Sequence, residues 1–98
     1  MNEFDIICKN FLDYLDSQKN YSHLTIENYK EDLNFFKNYL EKEQIDFKDI
    51  IYSDIKGFYN YLESKKYSKN TIARHISALR SFYKYMEQFI VKMIAETF

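Results

Sequence analysis

An all-α domain is the fold class that this sequence predicts, and three observations carry the prediction. Pro is absent and Gly occurs once in 98 residues, so the residues that build tight turns in β-sandwiches and barrels are missing. Hydrophobic residues make up 46% and include nine Phe and ten Tyr, which supplies core material and excludes a disordered chain. The apolar residues recur at spacings of three and four along almost the whole length, the period of amphipathic helices. A chain of this length makes one domain with a modest core and is too small for most complete enzymes.

The first stripe is Phe4, Ile7, Cys8, Phe11, Leu12 and Leu15, which predicts a helix over about 3–18 that stops near Lys19-Asn20. Cys8 lies inside the stripe and reads as a small buried hydrophobe rather than a reactive thiol. The second stripe, Ile26, Tyr29, Leu33, Phe36 and Leu40, predicts a helix over about 23–42. Gln44 to Tyr52 reads as a loop with one turn around Phe47-Ile50. A third helix over about 54–65 starts after Ser53 and buries Ile55, Phe58, Tyr59 and Leu62. Gly57 weakens it by about 1 kcal/mol relative to Ala. The fourth stripe, Ile72, Ile76, Leu79, Phe82, Tyr83 and Met86, predicts a helix over about 69–90. Four helices with short connections make a compact bundle, and residues 1–98 are read as one domain.

Fourteen basic and fifteen acidic residues give a formal charge of −1, which by itself favours neither nucleic acid nor membrane. A single Cys forms no internal disulfide and fits a reducing compartment. The opening Met1-Asn2-Glu3-Phe4-Asp5 lacks a basic n-region, and no apolar run approaches the ~20 residues of a membrane span. The expectation is a soluble, cytoplasmic protein with no membrane partner. The mean charge conceals an asymmetry: residues 1–60 hold seven Lys against twelve Asp or Glu, and residues 61–98 hold seven Lys or Arg against three Glu. Between Glu63 and Glu87 there is no acid, while Lys65, Lys66, Lys69, Arg74, Arg80 and Lys84 all fall there.

Helices two and four begin alike. Tyr21-Ser22-His23-Leu24-Thr25-Ile26 matches Tyr67-Ser68-Lys69-Asn70-Thr71-Ile72 at Tyr, Ser, Thr and Ile, and the same offset adds Leu33/Leu79, Phe36/Phe82, Tyr39/Tyr85 and Glu41/Glu87. Ser22 and Ser68 suit the N-cap, where the hydroxyl accepts a bond from an unpaired backbone N–H. Each Tyr and the Ile five positions on are placed as a hydrophobic staple, whereas Thr stands where a capping box has Glu or Gln. The repeat is either shared capping chemistry or two similar helix starts presented to one ligand.

On a wheel of about 100° per residue, Asn70, Ala73, Arg74, Ser77, Arg80, Ser81 and Lys84 occupy the arc opposite the fourth stripe. Apart from Ala73 every member donates hydrogen bonds, and none is acidic. Such a face suits duplex nucleic acid: cations displace counterions from phosphates, while Arg and Asn pair with purine edges. Lys69 and the helix N-terminus add an anion-friendly end. A purely solubilising face mixes in acids at i,i+4, as Glu27 and Glu31 do on helix two. Catalytic constellations are missing. His23 and His75 have no second ligand at metal spacing, a single Gly cannot form a phosphate loop, and the remaining acids read as solvating charges. No cofactor, metal or catalytic residue is expected.

Phe11-Leu12-Asp13-Tyr14-Leu15 followed by Tyr21-Ser22-x-x-Thr25-Ile26-x-x-Tyr29-x-x-Asp32-Leu33-x-x-Phe36 resembles the opening of the N-terminal core-binding domain of tyrosine recombinases. Ser53-Asp54-Ile55, Tyr61-Leu62 and the run Ser68-x-x-Thr71-Ile72-Ala73-Arg74-His75-Ile76-Ser77-Ala78-Leu79-Arg80-Ser81-Phe82-Tyr83-Lys84-Tyr85 resemble the rest of it. The likeness spans roughly Phe4 to Gln88 and favours the Xer-type and phage or mobile-element integrase branch. It implies a four-helix, SAM-like bundle that covers one face of a double-stranded recombination half-site, with a separate catalytic domain on the other face and further recombinase subunits on the same DNA. It places Thr25, Glu27 and Asn28 of helix two at the DNA, with Glu27 a departure from the basic or neutral residue common there. From helix four it places Asn70, Thr71, Arg74 and Ser77, with Arg80 and Lys84 as phosphate contacts. Lys69 joins them from the helix start. His23 replaces a common Pro, and Met93-Ile94 stand where the family often has Asn-Pro, so the last helix either runs on or its tail differs. The nucleophilic Tyr is expected in the catalytic domain, outside these residues, and none of the ten Tyr here is assigned that role. Two functions remain open: a DNA-binding module of a site-specific recombinase, and a stand-alone helical interaction domain whose basic face meets an acidic protein.

Overall fold

Every reversal in this chain is built without proline or a turn glycine, so caps and left-handed backbone at ordinary residues carry the work. The computed structural model describes residues 2–97, with the side chains of 89–93 and 97 outside that description. Four α-helices follow in order: α1 (Glu3–Ser17), α2 (His23–Glu43), α3 (Tyr52–Ser64) and α4 (Lys69–Thr97), with a single 3₁₀ turn at Phe47–Asp49 between α2 and α3. Among the described residues there is no strand, and no helix is long and apolar enough to cross a membrane. The all-α, four-helix, SAM-like expectation describes this architecture.

Side chains start each helix. The Asn2 side-chain oxygen accepts from the Asp5 N–H at 2.9 Å. Ser22 Oγ accepts from the Thr25 N–H at 3.2 Å, and Ser68 Oγ accepts from the Thr71 N–H at 3.2 Å. Each serine hydroxyl also donates to the hydroxyl of that threonine, at 2.9 and 3.0 Å, so Thr joins the cap through the serine side chain, where a capping-box acid would accept from the cap backbone N–H. The repeat continues into ring packing. Tyr21 stacks on Tyr29 and Tyr67 stacks on His75, each eight positions further on and with centroids 6.1 Å apart. At α3 the cap comes from within, because Asp54 Oδ2 accepts from the Ile51 N–H at 3.0 Å. That carboxylate starts the helix one residue before Ser53.

The helix ends are closed by Asn20, Gln44 and Lys66, whose φ values of 54°, 57° and 61° lie in the left-handed region. After Gln44 the Ile45 N–H returns to the Leu40 carbonyl at 2.9 Å. Beyond Gly57 the chain holds neither Gly nor Pro, and α4 runs through Met93-Ile94 to Thr97 rather than ending near 90. Its 29 residues at about 1.5 Å each account for the 45 Å long axis of the molecule.

One phenylalanine from each helix is fully buried: Phe11 of α1, Phe36 of α2, Phe58 of α3 and Phe82 of α4. Phe11 meets Phe82 edge-on at 5.7 Å, and Phe36 meets Phe58 edge-on at 5.0 Å. Tyr83 bridges the two pairs, touching Phe36 and Phe82, and its hydroxyl donates to the Phe47 carbonyl at 2.8 Å. Edge-to-face rings add about 0.5–1.5 kcal/mol per pair beyond area burial, so the aromatics specify how the helices seat as well as driving collapse. Cys8 is packed against this core, and burial pushes its thiol up to about 12, with Asp5 adding to the effect. Gly57 has a use that helix propensity alone does not reveal. A Cβ there would stand 2.9 Å from the Tyr39 hydroxyl, so a side chain at this position would push the end of that ring aside.

Gln44 and Lys66 are exposed and left-handed, a conformation costing a non-glycine residue about 1–2 kcal/mol. Gln44→Gly and Lys66→Gly are therefore each expected to stabilise the domain by ~1 kcal/mol, raising the melting temperature by about 4–8 °C. Thermal unfolding followed by circular dichroism checks this, and a lowered melting temperature in both variants refutes it.

Candidate nucleic-acid interface

The acid-free arc of α4 divides in three dimensions into a centre and two flanks. Asn70, Ala73, Ser77 and Lys84 stand exposed along the centre. On one flank Lys69 and Arg80, with Ser77 at the border of the centre, line an open groove of about 620 Å³ against Tyr52, Lys56 and Tyr59 of α3. On the other flank Arg74 turns onto α2. Its Nε donates to Asp32 Oδ2 at 3.1 Å and its Nη2 donates to Asp32 Oδ1 at 2.9 Å. This two-bonded fork is the strong geometry for Arg and a carboxylate.

Asp32 is the residue that sequence reasoning missed. It is 3% exposed, a buried carboxylate rather than a solvating charge. Its spacing to Phe35, Phe36 and Tyr39 puts it on the buried side of α2, which was the available signal. A buried carboxylate is tolerated only when paired. Arg74 supplies the pair while its side chain stays 47% exposed. Arg74, placed by the helix wheel on the arc opposite the core stripe, is thus tied to a buried carboxylate of α2 and is not a free surface group.

His75 lies beside the pair. It is buried, its ring stacks on Tyr67 and packs 5.2 Å from Phe35, and its Nδ1 stands 3.5 Å from Asp32 Oδ1 without a hydrogen-bond partner. Burial holds the imidazole below its ordinary value of 6.5, the Arg74 charge pushes the same way, and the Asp32 charge opposes both.

The other sequence-selected residues fall into two groups. Thr25 and Thr71 are engaged in the two serine caps, so both helix starts are alike in hydrogen bonding as well as in sequence. Asn28 is half-buried on α2, whereas Lys69, Asn70, Ser77, Arg80 and Lys84 are exposed on α4. Glu27 is half-exposed, with Oε1 4.0 Å from Nε2 of the exposed His23. The fork from Arg74 to Asp32 ties α2 to α4 and so brings the two similar helices into one register.

A family model described as the phage integrase N-terminal SAM-like domain matches residues 8–88. The chain belongs to this family. Relatives named tyrosine recombinase XerC include those of Anoxybacillus flavithermus (44% identical over 77 residues), Listeria innocua (39% over 79) and Leptospira interrogans (43% over 77). These alignments cover 78%, 80% and 78% of this chain and 26%, 26% and 25% of the relatives, so the chain spans about a quarter of the recombinases it matches. No solved structure matches. Within the SAM-like domain, the helices that carry the internal repeat are those joined by Asp32 and Arg74.

Two outcomes follow from the buried cluster. Arg74→Ala strands the Asp32 carboxylate and is expected to cost ~2–3 kcal/mol in urea unfolding. Lys84→Ala, from an exposed position, stays within about 0.5 kcal/mol of the parent, and equal midpoints for the two variants contradict the pairing argument. The second outcome concerns acid. The folded chain keeps His75 neutral at pH values where the unfolded chain protonates it, so between the two values the unfolded state binds more protons. This contribution to stability is fully present above about pH 6.5 and is lost as the pH falls below that value toward the folded one. The urea midpoint should therefore decline on acidification below about pH 6.5, and His75→Gln should flatten that decline. Identical slopes in the two proteins remove His75 as its cause.

Proposed function

We propose that this chain is a DNA-binding core-binding domain of a site-specific tyrosine recombinase, gripping one face of a recombination half-site while a separate domain carries out strand cleavage and rejoining. The observation that carries the reading is the exposed, acid-free arc of α4, where Asn70, Ser77, Arg80 and Lys84 offer hydrogen-bond donors with no ion-pair partner among the described residues. Family membership and XerC relatives covering most of the chain support it. The proposed contacts are Thr25 and Asn28 of α2, and Lys69, Asn70, Thr71, Arg74, Ser77, Arg80 and Lys84 of α4. Arg80 and Lys84 meet phosphate, where each cation displaces counterions. The partners are double-stranded DNA, the catalytic domain and neighbouring recombinase subunits.

Phosphotyrosine chemistry needs a nucleophile ringed by cationic stabilisers of the transition state, and the tyrosines of this domain are read as packing or surface groups. The chain alone accordingly makes no covalent bond to nicked DNA. Few phosphate contacts and a net charge of −1 imply affinities on the order of 10⁻⁴–10⁻⁶ M. The whole recombinase gains from clamping two faces, because the second contact becomes intramolecular.

The alternative is a helical protein–protein module that presents the basic groove to an acidic partner, and the exposed Tyr52 and Tyr59 beside Lys56 and Arg80 favour it. A duplex titration separates the two. Lys84→Ala should weaken binding to every duplex alike and lower the salt slope by about one. Lys9→Ala on the exposed side of α1 is the control and should change little. Lys37 is unsuited to that role because its Nζ donates to Asp5 at 2.8 Å and ties α1 to α2. Unchanged duplex binding by Lys84→Ala across the salt series moves the protein-interaction reading ahead.

A further inference from the structure

We infer that Asp32 is a specificity-determining positioning residue: it holds Arg74 as a reader of a guanine edge in the major groove and prevents it from acting as a general phosphate contact. The inference rests on the DNA-binding reading above and names how one side chain of that surface is used.

A guanidinium has five N–H donors in a fixed plane. Asp32 engages one on Nε and one on Nη2. The end-on edge, one N–H from each of Nη1 and Nη2, has no partner among the described residues. Arg74 is about half exposed while Asp32 is 3% exposed, so the anchored edge is inside and the free edge is left for a ligand. Two parallel donors on a rigid plane match the O6 and N7 acceptors of guanine. The anchor also removes rotamer freedom in advance, which lowers the cost of binding in that one geometry.

Charge decides between a base edge and a phosphate. A lone Arg on a surface is drawn to any phosphate and gains from counterion release. Here a carboxylate bonded to the same guanidinium cancels most of that attraction, and its burial keeps its field poorly screened by salt. What remains is a directional pair of donors with little net charge, which rewards a correctly placed pair of acceptors and not the uniform charge of the backbone. Arg80 and Lys84 have no ion-pair partner among the described residues and keep the general attraction. Asp32 thereby divides the labour within one helix face.

The test uses the full chain at pH 7.5, about one unit above the ordinary imidazole value, and a pool of short DNA duplexes of random sequence. Binding to the unselected pool is titrated between about 50 and 200 mM salt, and the bound fraction is sequenced to read base preference. The parent chain is expected to enrich guanine at one position. Asp32→Asn, nearly isosteric and uncharged, should bind the unselected pool several-fold more tightly with a salt slope steeper by about one, while losing roughly tenfold of the guanine preference. Arg74→Ala added to Asp32→Asn should abolish that gain. A purely structural role for Asp32 moves these readouts the other way, since a loosened domain binds every duplex less well. Should Asp32→Asn fail to fold by circular dichroism, Arg74→Lys decides: it keeps the charge, loses the fork, and should lose the preference while retaining pool affinity. The inference is overturned if Asp32→Asn or, in its place, Arg74→Lys keeps the guanine preference, or if the parent binds the pool with no base preference. In the last case the DNA reading stands without it. Absence of any duplex binding by the parent defeats the DNA reading as well.

Discussion

A carboxylate buried between two helices is the constraint on which the arrangement of this domain turns. A carboxylate as buried as Asp32, at 3% exposure, is tolerated only with a partner, and Arg74 reaches it with α4 lying beside α2. Apolar packing tolerates small slips, because hydrophobic burial has no direction. A fork with bonds of 3.1 and 2.9 Å does not. The pair therefore sets the register of the two helices that begin alike, and the placing of the exposed arc of α4 depends on it.

Around that register the aromatic core supplies the bulk of the driving force. Four fully buried phenylalanines, one per helix, meet in two edge-on pairs that Tyr83 links. A second aromatic group, Phe35, Tyr39 and Tyr61, continues from Phe58 toward the far end of α2 and α3, with Lys42 and Lys65 over the Tyr61 ring at 5.2 and 5.0 Å. Such packing suits a chain with almost no glycine, since large rings fill wide spaces between helices. Where rings and backbone come too close, the single Gly57 accommodates the Tyr39 hydroxyl.

The same helix serves both needs. One side of α4 gives Ile72, Leu79 and Phe82 to the core, and the other carries the arc on which the proposed DNA contacts lie. Between them sit Arg74 and His75, adjacent in sequence and both facing Asp32. On the proposed DNA-binding reading, stability and recognition share atoms at this border. Removal of Arg74 is expected to perturb both, whereas Arg80 and Lys84, further around the helix, are exposed.

Periodicity and end chemistry were enough to locate the four helices, because apolar spacing and serine caps are local properties written over a few residues. Ser22 and Ser68 as caps, the turn near Phe47, and Cys8 as packing were all legible for that reason, whereas the hydroxyl bonds from each serine to its threonine were not. The exposure of Lys69, Asn70, Ser77, Arg80 and Lys84 was legible too, since a helix wheel needs no partner. Four further features were not. Tyr59, counted with the buried stripe of the third helix, is 42% exposed, because periodicity marks a stripe and not how far around it the neighbouring helices reach. Asp32 reads as one acid among many until α4 lies against it, although its spacing to Phe36 and Tyr39 hinted at burial. Arg74 looks free on the wheel because a wheel records direction and not the reach of a long side chain to a neighbouring helix. Gly57 looks like a weak point because its benefit belongs to Tyr39, eighteen residues away in sequence. The sequence by itself determined the helices, their caps and their polar faces, which are set by forces acting within a turn or two. Only the tertiary structure decided which charges are paired, because ion pairing depends on distances between residues that the chain does not bring together until it folds.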